Sequence, residues 1–232
     1  MIELYNGKGY VKLIDHMGDD LSFCKAARAS FAKDASEWND KEAKLLKFLV
    51  KNEHFSVFRH AAVTLQIKAP LMVARQHWKY IVGSAHLEDQ NGWNETSRRY
   101  VSVDNEFYIP EHNQWRSKPD NAKQGSGDPV DNLTGRTATY LLEEHVEKSI
   151  RLFESALEEG IATEQARLFL PAFGLMQYYQ WTVSVANLVH FLEERLAHDA
   201  QLEMQQLAVG VRDLTEPLYP ATFRAFGLVK ES

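Results

Sequence analysis

Residues 61–69 read Ala-Ala-Val-Thr-Leu-Gln-Ile-Lys-Ala, and residues 70–78 continue Pro-Leu-Met-Val-Ala-Arg-Gln-His-Trp. Val63, Leu65 and Ile67 alternate with Thr64, Gln66 and Lys68, the period of a strand with one face in a core. Pro70 suits the first turn of a helix running through Val73, Arg75, Gln76 and Trp78. Upstream, Gly9 to Asp15 has a weaker strand pattern, Asp20 precedes the helically spaced Leu21, Phe23, Ala26, Ala27 and Phe31, and Asp40 can cap a helix from Lys41 to Lys51. Downstream, the pattern is irregular from 82 to 130, with a turn expected at Asn91-Gly92 and a mobile stretch at Lys118–Asp128. Thr134 or Thr137 then opens a long helix to about Glu159, stopped by Gly160. One helix follows over about Val185 to Leu196, and another carries Met204, Leu207, Val211, Leu214 and Leu218 at 3-4-3-4 spacing to Pro220. No repeat or boundary divides the pattern, so the expectation is one α+β domain over residues 1–232 with a mixed or antiparallel sheet and several long helices.

Composition narrows the function. With 44% hydrophobic and 25% charged residues, the 232-residue chain can bury a core. Its 32 acidic residues against 26 Lys+Arg leave a net charge of −6, opposite to that of a protein that coats nucleic acid, so a bound anion must be met by local arginines. The single cysteine, Cys24, excludes an internal disulfide and a thiolate metal cluster, and its place on an amphipathic helix reads as packing. Residues Met1 to Tyr10 hold no apolar signal segment, and no apolar run is long enough to span a bilayer, so a soluble cytoplasmic protein is expected.

Several familiar sites are missing. Gly7-Lys8-Gly9 lacks the third glycine of a dinucleotide fingerprint, and neither a Walker loop nor a Gly-x-Ser-x-Gly elbow occurs. His190 and Glu193 stand one helical turn apart with no second pair at ligand spacing, so no metal site is expected. Two segments are richer: Ala74-Arg-Gln-His-Trp-Lys-Tyr80 and Asn94-Glu-Thr-Ser-Arg-Arg-Tyr100. Their arginines, glutamine, lysine, serine and aromatic rings can clamp a phosphate, read a heterocycle's edge and stack a ring, although a solvated charged face explains the same residues. Arg167 and Arg195 are flanked by apolar residues. A guanidinium at the edge of a core needs either an acid, such as Glu193 or Glu194, or a ligand anion.

In this order and spacing the residues resemble the flavin-dependent thymidylate synthases over most of the chain. The match includes His54-x-Ser-x-Phe-x-His60, Lys68-Ala-Pro70 with Val73-Ala-Arg-Gln76, Asn94-Glu-x-Ser-x-Arg-Tyr100 and Glu106-Phe-Tyr-Ile-Pro110. It continues through Ala166-Arg-x-x-Leu-Pro171, Trp181-Thr182, His190-Phe-Leu-x-x-Arg195 and His198-x-Ala-Gln201. The resemblance implies an α+β homotetramer with FAD and dUMP at subunit interfaces. It implies methylene transfer from methylenetetrahydrofolate to C5 of the pyrimidine, with a hydride from flavin recharged by NADPH, and no cysteine nucleophile. Arg195 matches the arginine that polarises the pyrimidine and favours ionisation at N3. Gln76, Lys79, Glu95, Ser97, Arg98, Arg99 and Arg167 fall at nucleotide-binding positions; His54, Ser56, Lys79, Tyr80, Asn94, Glu95, Ser184 and His190 fall at flavin-contacting ones.

The chain departs from the family at Lys79-Tyr80-Ile81, where the family has Arg-His-Arg, with Ser84 in the matching serine place and an extra segment from His86 to Trp93 before Asn94. Lys79 keeps a charge without the bidentate fork, and Ile81 has none. The departure leaves two rivals: an enzyme that methylates or hydroxymethylates another pyrimidine nucleotide, and a nucleotide-binding or assembly protein without redox chemistry. Flavin uptake separates the second from the first.

Overall fold

The computed structural model describes residues 1–83, 92–96, 105–119 and 125–229. Strand β3 (Ala62–Pro70) lies at the centre of a five-stranded antiparallel sheet of order β1-β2-β3-β5-β4, formed with β1 (Ile2–Leu4), β2 (Gly9–Met17), β4 (Gly92–Glu95) and β5 (Met176–Ser184). Antiparallel pairing lets one face take the core while the other stays polar. Val63, Leu65 and Ile67 are buried on that face beside Tyr179, Trp181 and Val183 of β5, whereas Thr64 and Thr182 share a 3.0 Å hydrogen bond on the other. The register of β2 on β3 shifts between Leu13 and Asp15, which explains the broken alternation there.

Helices α1 (Asp20–Ala29), α2 (Asp40–Lys51), α3 (Leu71–Gly83), α4 (Asn132–Glu158), α5 (Thr163–Ala166), α6 (Val185–Arg195), α7 (Leu202–Thr215) and α8 (Pro220–Ala225) complete the chain. Pro70 closes β3 rather than opening α3. Asn39 caps α2 instead of Asp40, accepting from the Lys41 and Glu42 amides, and Asp131 caps α4 instead of either threonine, accepting from the Thr134 amide at 2.9 Å. Gly160, with φ +82°, ends α4 where an L side chain would be strained. The stretch from 82 to 130 contains β4, which begins at Gly92 where a turn was expected, and the isolated bridges Phe107–Leu175 and Arg116–Pro129. Residues 120–124 of the stretch expected to be mobile lie outside the described residues.

Helix α7 packs on the first two strands, and Gly210 makes that possible: a Cβ there would stand 2.8 Å from Val11 Cγ1. Asp20 ties the two ends of the chain together. Buried at the start of α1, its carboxylate accepts from the Ala221 amide (2.8 Å), the Thr222 amide (3.0 Å) and the Thr222 hydroxyl (2.6 Å), and so caps α8. The cap of α1 itself is Asp19, in a reciprocal box with Ser22. The fully buried Tyr219 donates to the Met17 (3.1 Å) or Ala62 (3.3 Å) carbonyl.

Candidate active site

Helices α3 and α6 each follow directly from a central strand, β3 and β5, and this places their side chains along one cleft of about 1340 Å³. Helix α3 contributes Gln76, Lys79 and Tyr80, and α6 contributes His190, Glu193, Glu194 and Arg195. Phe107, Tyr108, Trp115 and Arg116 form another wall, joined by the first turn of α7 with Glu203. Trp115 is fixed by its indole N–H, which donates to the Thr139 hydroxyl at 2.9 Å.

Arg195 decides the question that its neighbours in sequence raised. Neither Glu193 nor Glu194 pairs with it: among the described residues no ion pair involves Arg195, and its buried Nε has no hydrogen-bond partner. The guanidinium carbon instead lies 5.5 Å from the Tyr80 ring centroid, a cation–π contact that holds the charge without neutralising it. The Gln76 Oε1 is likewise buried and unpartnered. Two polar groups with a buried atom that has no hydrogen-bond partner among the described residues, one a cation and one a neutral acceptor, line the same cleft and suit a ligand carrying both an anionic edge and an N–H.

Tyr80 is held from below, with its hydroxyl donating to Asn187 Oδ1 at 2.8 Å and its ring 5.6 Å from that of His190. Glu203, which periodicity did not single out, accepts from Gln201 Nε2 at 2.9 Å and from the Tyr108 hydroxyl at 3.3 Å. Burial, reinforced by Glu203, raises the Tyr108 pKa and keeps that phenol protonated. Glu193 is also shifted up, by burial and then by Glu194.

His77 was overlooked because it reads as one more polar residue of α3. It has no exposed surface and sits among the rings of Trp93, Tyr179, Trp181 and Phe191, with Nδ1 3.1 Å from the Tyr179 hydroxyl and Nε2 without a hydrogen-bond partner among the described residues. Burial first, and the Arg195 charge second, push its pKa down to about 3, so it is a neutral imidazole.

Of the remaining expected site residues, the described ones do not line this cleft. His54 and Ser56 are exposed at the 3₁₀ turn Phe55–His60, and Asn94 and Glu95 are exposed on β4. Arg167 follows α5, half-buried, with its Nε also without a hydrogen-bond partner among the described residues. Ser184 is buried and caps α6, its hydroxyl accepting from the Asn187 amide at 3.3 Å. Ser97, Arg98 and Arg99, like Ser84, lie outside the described residues. Cys24 is buried with its thiol pushed up to about 12, chiefly by burial, and is unsuited to act as a thiolate nucleophile. Among the described residues no three His, Cys, Asp or Glu side chains are grouped to hold a metal, and no helix is long and apolar enough to cross a membrane.

The family model described as "Thymidylate synthase complementing protein" matches residues 12–221. A flavin-dependent thymidylate synthase of Thermosipho africanus is 36% identical over 219 residues, covering 94% of this chain and 91% of its own. A namesake from Wolbachia pipientis wMel is 32% identical over 218 residues, 94% of this chain and 73% of its own. Among solved structures, a UMP/dUMP methylase, PolB from Streptomyces cacaoi bound with 5-Br dUMP, superposes with a TM-score of 0.81 at 26% identity over 94% of both chains. Its complex with 5-Br UMP gives a TM-score of 0.78 over 99% of both.

Proposed function

The chain belongs to the flavin-dependent thymidylate synthases, and from that premise we propose that its cleft binds dUMP and FAD and methylates the pyrimidine at C5, with methylenetetrahydrofolate as carbon donor and NADPH as reductant. The observation that carries the reading is the pair of unpartnered buried atoms, Arg195 Nε and Gln76 Oε1, on facing helices of the cleft. Arg195 supplies a fixed cation where negative charge grows on the pyrimidine, and its lack of a counter-ion among the described residues leaves that charge available to the ligand. Gln76 offers an acceptor to a ligand N–H. Lys79, exposed and without an ion pair among the described residues, faces the anionic groups.

Flavin fits the same walls. The cleft exceeds the usual 300–1,000 Å³ of a site for one drug-sized ligand, and Tyr80, His190 and Phe107 give it ring surfaces. When bound, flavin supplies the hydride; the protein binds, orients and excludes water. Ser184 acts through the helix that it caps. His54, Ser56, Asn94, Glu95 and Arg167 lie away from this cleft, and Ser97, Arg98 and Arg99 belong to the nucleotide loop by resemblance. A homotetramer, in which neighbouring copies complete one another's sites, accounts for the dispersal, and the exposed apolar residues Leu133, Tyr140 and Leu141 of α4 offer a surface for it. The enzyme's place of work on this reading is the cytoplasm.

The test is tritium release from 5-labelled dUMP and UMP with methylenetetrahydrofolate and NADPH. Release from dUMP, lost in Arg195→Ala, supports the reading. Release from UMP alone would favour the second one, a methylase of another pyrimidine nucleotide, which the PolB complexes motivate. Absence of release and of flavin uptake would leave only a binding protein.

A further inference from the structure

Glu203 is an unexpected charge in a cleft that collects anions. It is the second residue of α7, where an acid favours the positive end of a helix, and that alone would account for a carboxylate turned to solvent. This one lines the cleft instead, with both oxygens engaged: Oε1 accepts from the Tyr108 hydroxyl at 3.3 Å and Oε2 from Gln201 Nε2 at 2.9 Å. The Tyr5 hydroxyl holds the same residue from its backbone side, donating to its carbonyl at 3.2 Å. Among the described residues no cation pairs with Glu203. A carboxylate has about four acceptor positions, so acceptor capacity is left over on a group that its neighbours hold in place.

Those neighbours also fix where along the cleft it acts. Gln201 Nε2 lies 3.7 Å from the Met72 sulfur, and Met72 stands four residues before Gln76 on α3. Residues four apart share a helix face with about 5–6 Å between their Cβ atoms, so Glu203 sits about one turn along the cleft from the Gln76 acceptor. That is the reach from a pyrimidine to the hydroxyls of its own sugar. Met72 and Tyr108 line this stretch with apolar surface, against which the carbon face of a sugar can pack.

On the reading that the cleft binds dUMP, the ligand's own chemistry leaves one partner for the carboxylate. The nucleotide brings two hydrogen-bond donors, N3–H and the 3′-hydroxyl, while its carbonyls and ionised phosphate only accept. Gln76 Oε1 is the acceptor assigned to the first. The phosphate carries the same sign of charge as Glu203 and is kept away from it. We propose that Glu203 accepts the 3′-hydroxyl of the nucleotide and so selects for a sugar that carries one.

The experiment titrates the full chain, with FAD present, by calorimetry against dUMP and against 2′,3′-dideoxyuridine monophosphate, which has no sugar hydroxyl. The native protein should bind dUMP about tenfold tighter or more, because the analogue leaves an acceptor built for a hydroxyl unpaired. Glu203→Ala should abolish the preference by weakening dUMP alone, and Glu203→Gln, which keeps the shape and one acceptor oxygen, should retain part of it. A purely structural role would weaken both ligands by the same factor. That result, or equal affinity for the two ligands in the native protein, would overturn the proposal. So would Glu203→Ala losing FAD uptake with the nucleotide preference intact, which would give the carboxylate to the flavin. Failure of the native protein to bind dUMP at all would sink the nucleotide reading itself, and this assignment with it.

Discussion

At the scale of single residues, the half-buried Arg195 is a cation and the buried His77 a neutral base, and each sets a measurable expectation. Arg195→Ala removes one preorganised cation and should cost about 10²–10³ in turnover while the thermal melt stays cooperative. Near-normal turnover would show that another group polarises the pyrimidine. For His77 the sign follows from burial. The folded pKa, about 3, lies below the ordinary 6.5, so between those values the unfolded chain binds a proton that the folded chain refuses. Stability is therefore full above about 6.5 and falls as the pH drops towards 3, at about 1.4 kcal/mol per pH unit from this group. Urea titrations across that window should show a shallower pH slope in His77→Phe; an unchanged slope would mean that His77 is not the group responsible.

At the scale of elements, the ends of helices and the faces of strands explain what could be read beforehand. Strand β3 was legible because one of its faces packs and the other is polar. Strand β5 was not, although Tyr179, Trp181 and Val183 alternate on its buried face. Tyr178 sits on the opposite face, 6.3 Å from Tyr10 and with Lys68 5.1 Å above its ring, so apolar-looking residues occur on both sides. β1 is too short to show a period. Of the site, the arginine and its glutamine were legible as types and by resemblance, but which residues share a cleft depends on how two strand-to-helix turns align across the sheet, a long-range fact. Asp20 shows the same limit: it reads as the start of α1 and serves α8. Asp20→Ala should destabilise the domain by about 1.5–3 kcal/mol in urea denaturation, the range for a lost charged hydrogen bond. A cost of only a few tenths would show that α8 docks through its apolar face alone.

At the scale of the whole molecule, the surface is uneven. Leu133 is 76% and Leu141 56% exposed on α4, and Leu168 and Phe173 are exposed beyond it, a spread of apolar surface that isolated monomers rarely leave uncovered. Light scattering at micromolar concentration should give a tetrameric mass. The double variant Leu133→Glu/Leu141→Glu should shift it to smaller species, since like charges then face each other across any self-complementary contact. A native monomer would remove the assembly proposed here, and with it the completion of the site by neighbouring copies.

The clasp of Asp20 on residues 221 and 222 also has a bearing on synthesis. A chain growing from the ribosome presents β1 and β2 long before α7, which covers them, and α8, which Asp20 secures. The sheet's central neighbour β5 likewise arrives only after residue 176. For most of translation the apolar faces of Phe23, Phe58 and Leu65 have no permanent cover, which makes the nascent chain a natural client of chaperones that bind exposed apolar strands. A chain arrested before Tyr219 should therefore stay protease-sensitive on the ribosome, and one released with α8 complete should become resistant in a single step.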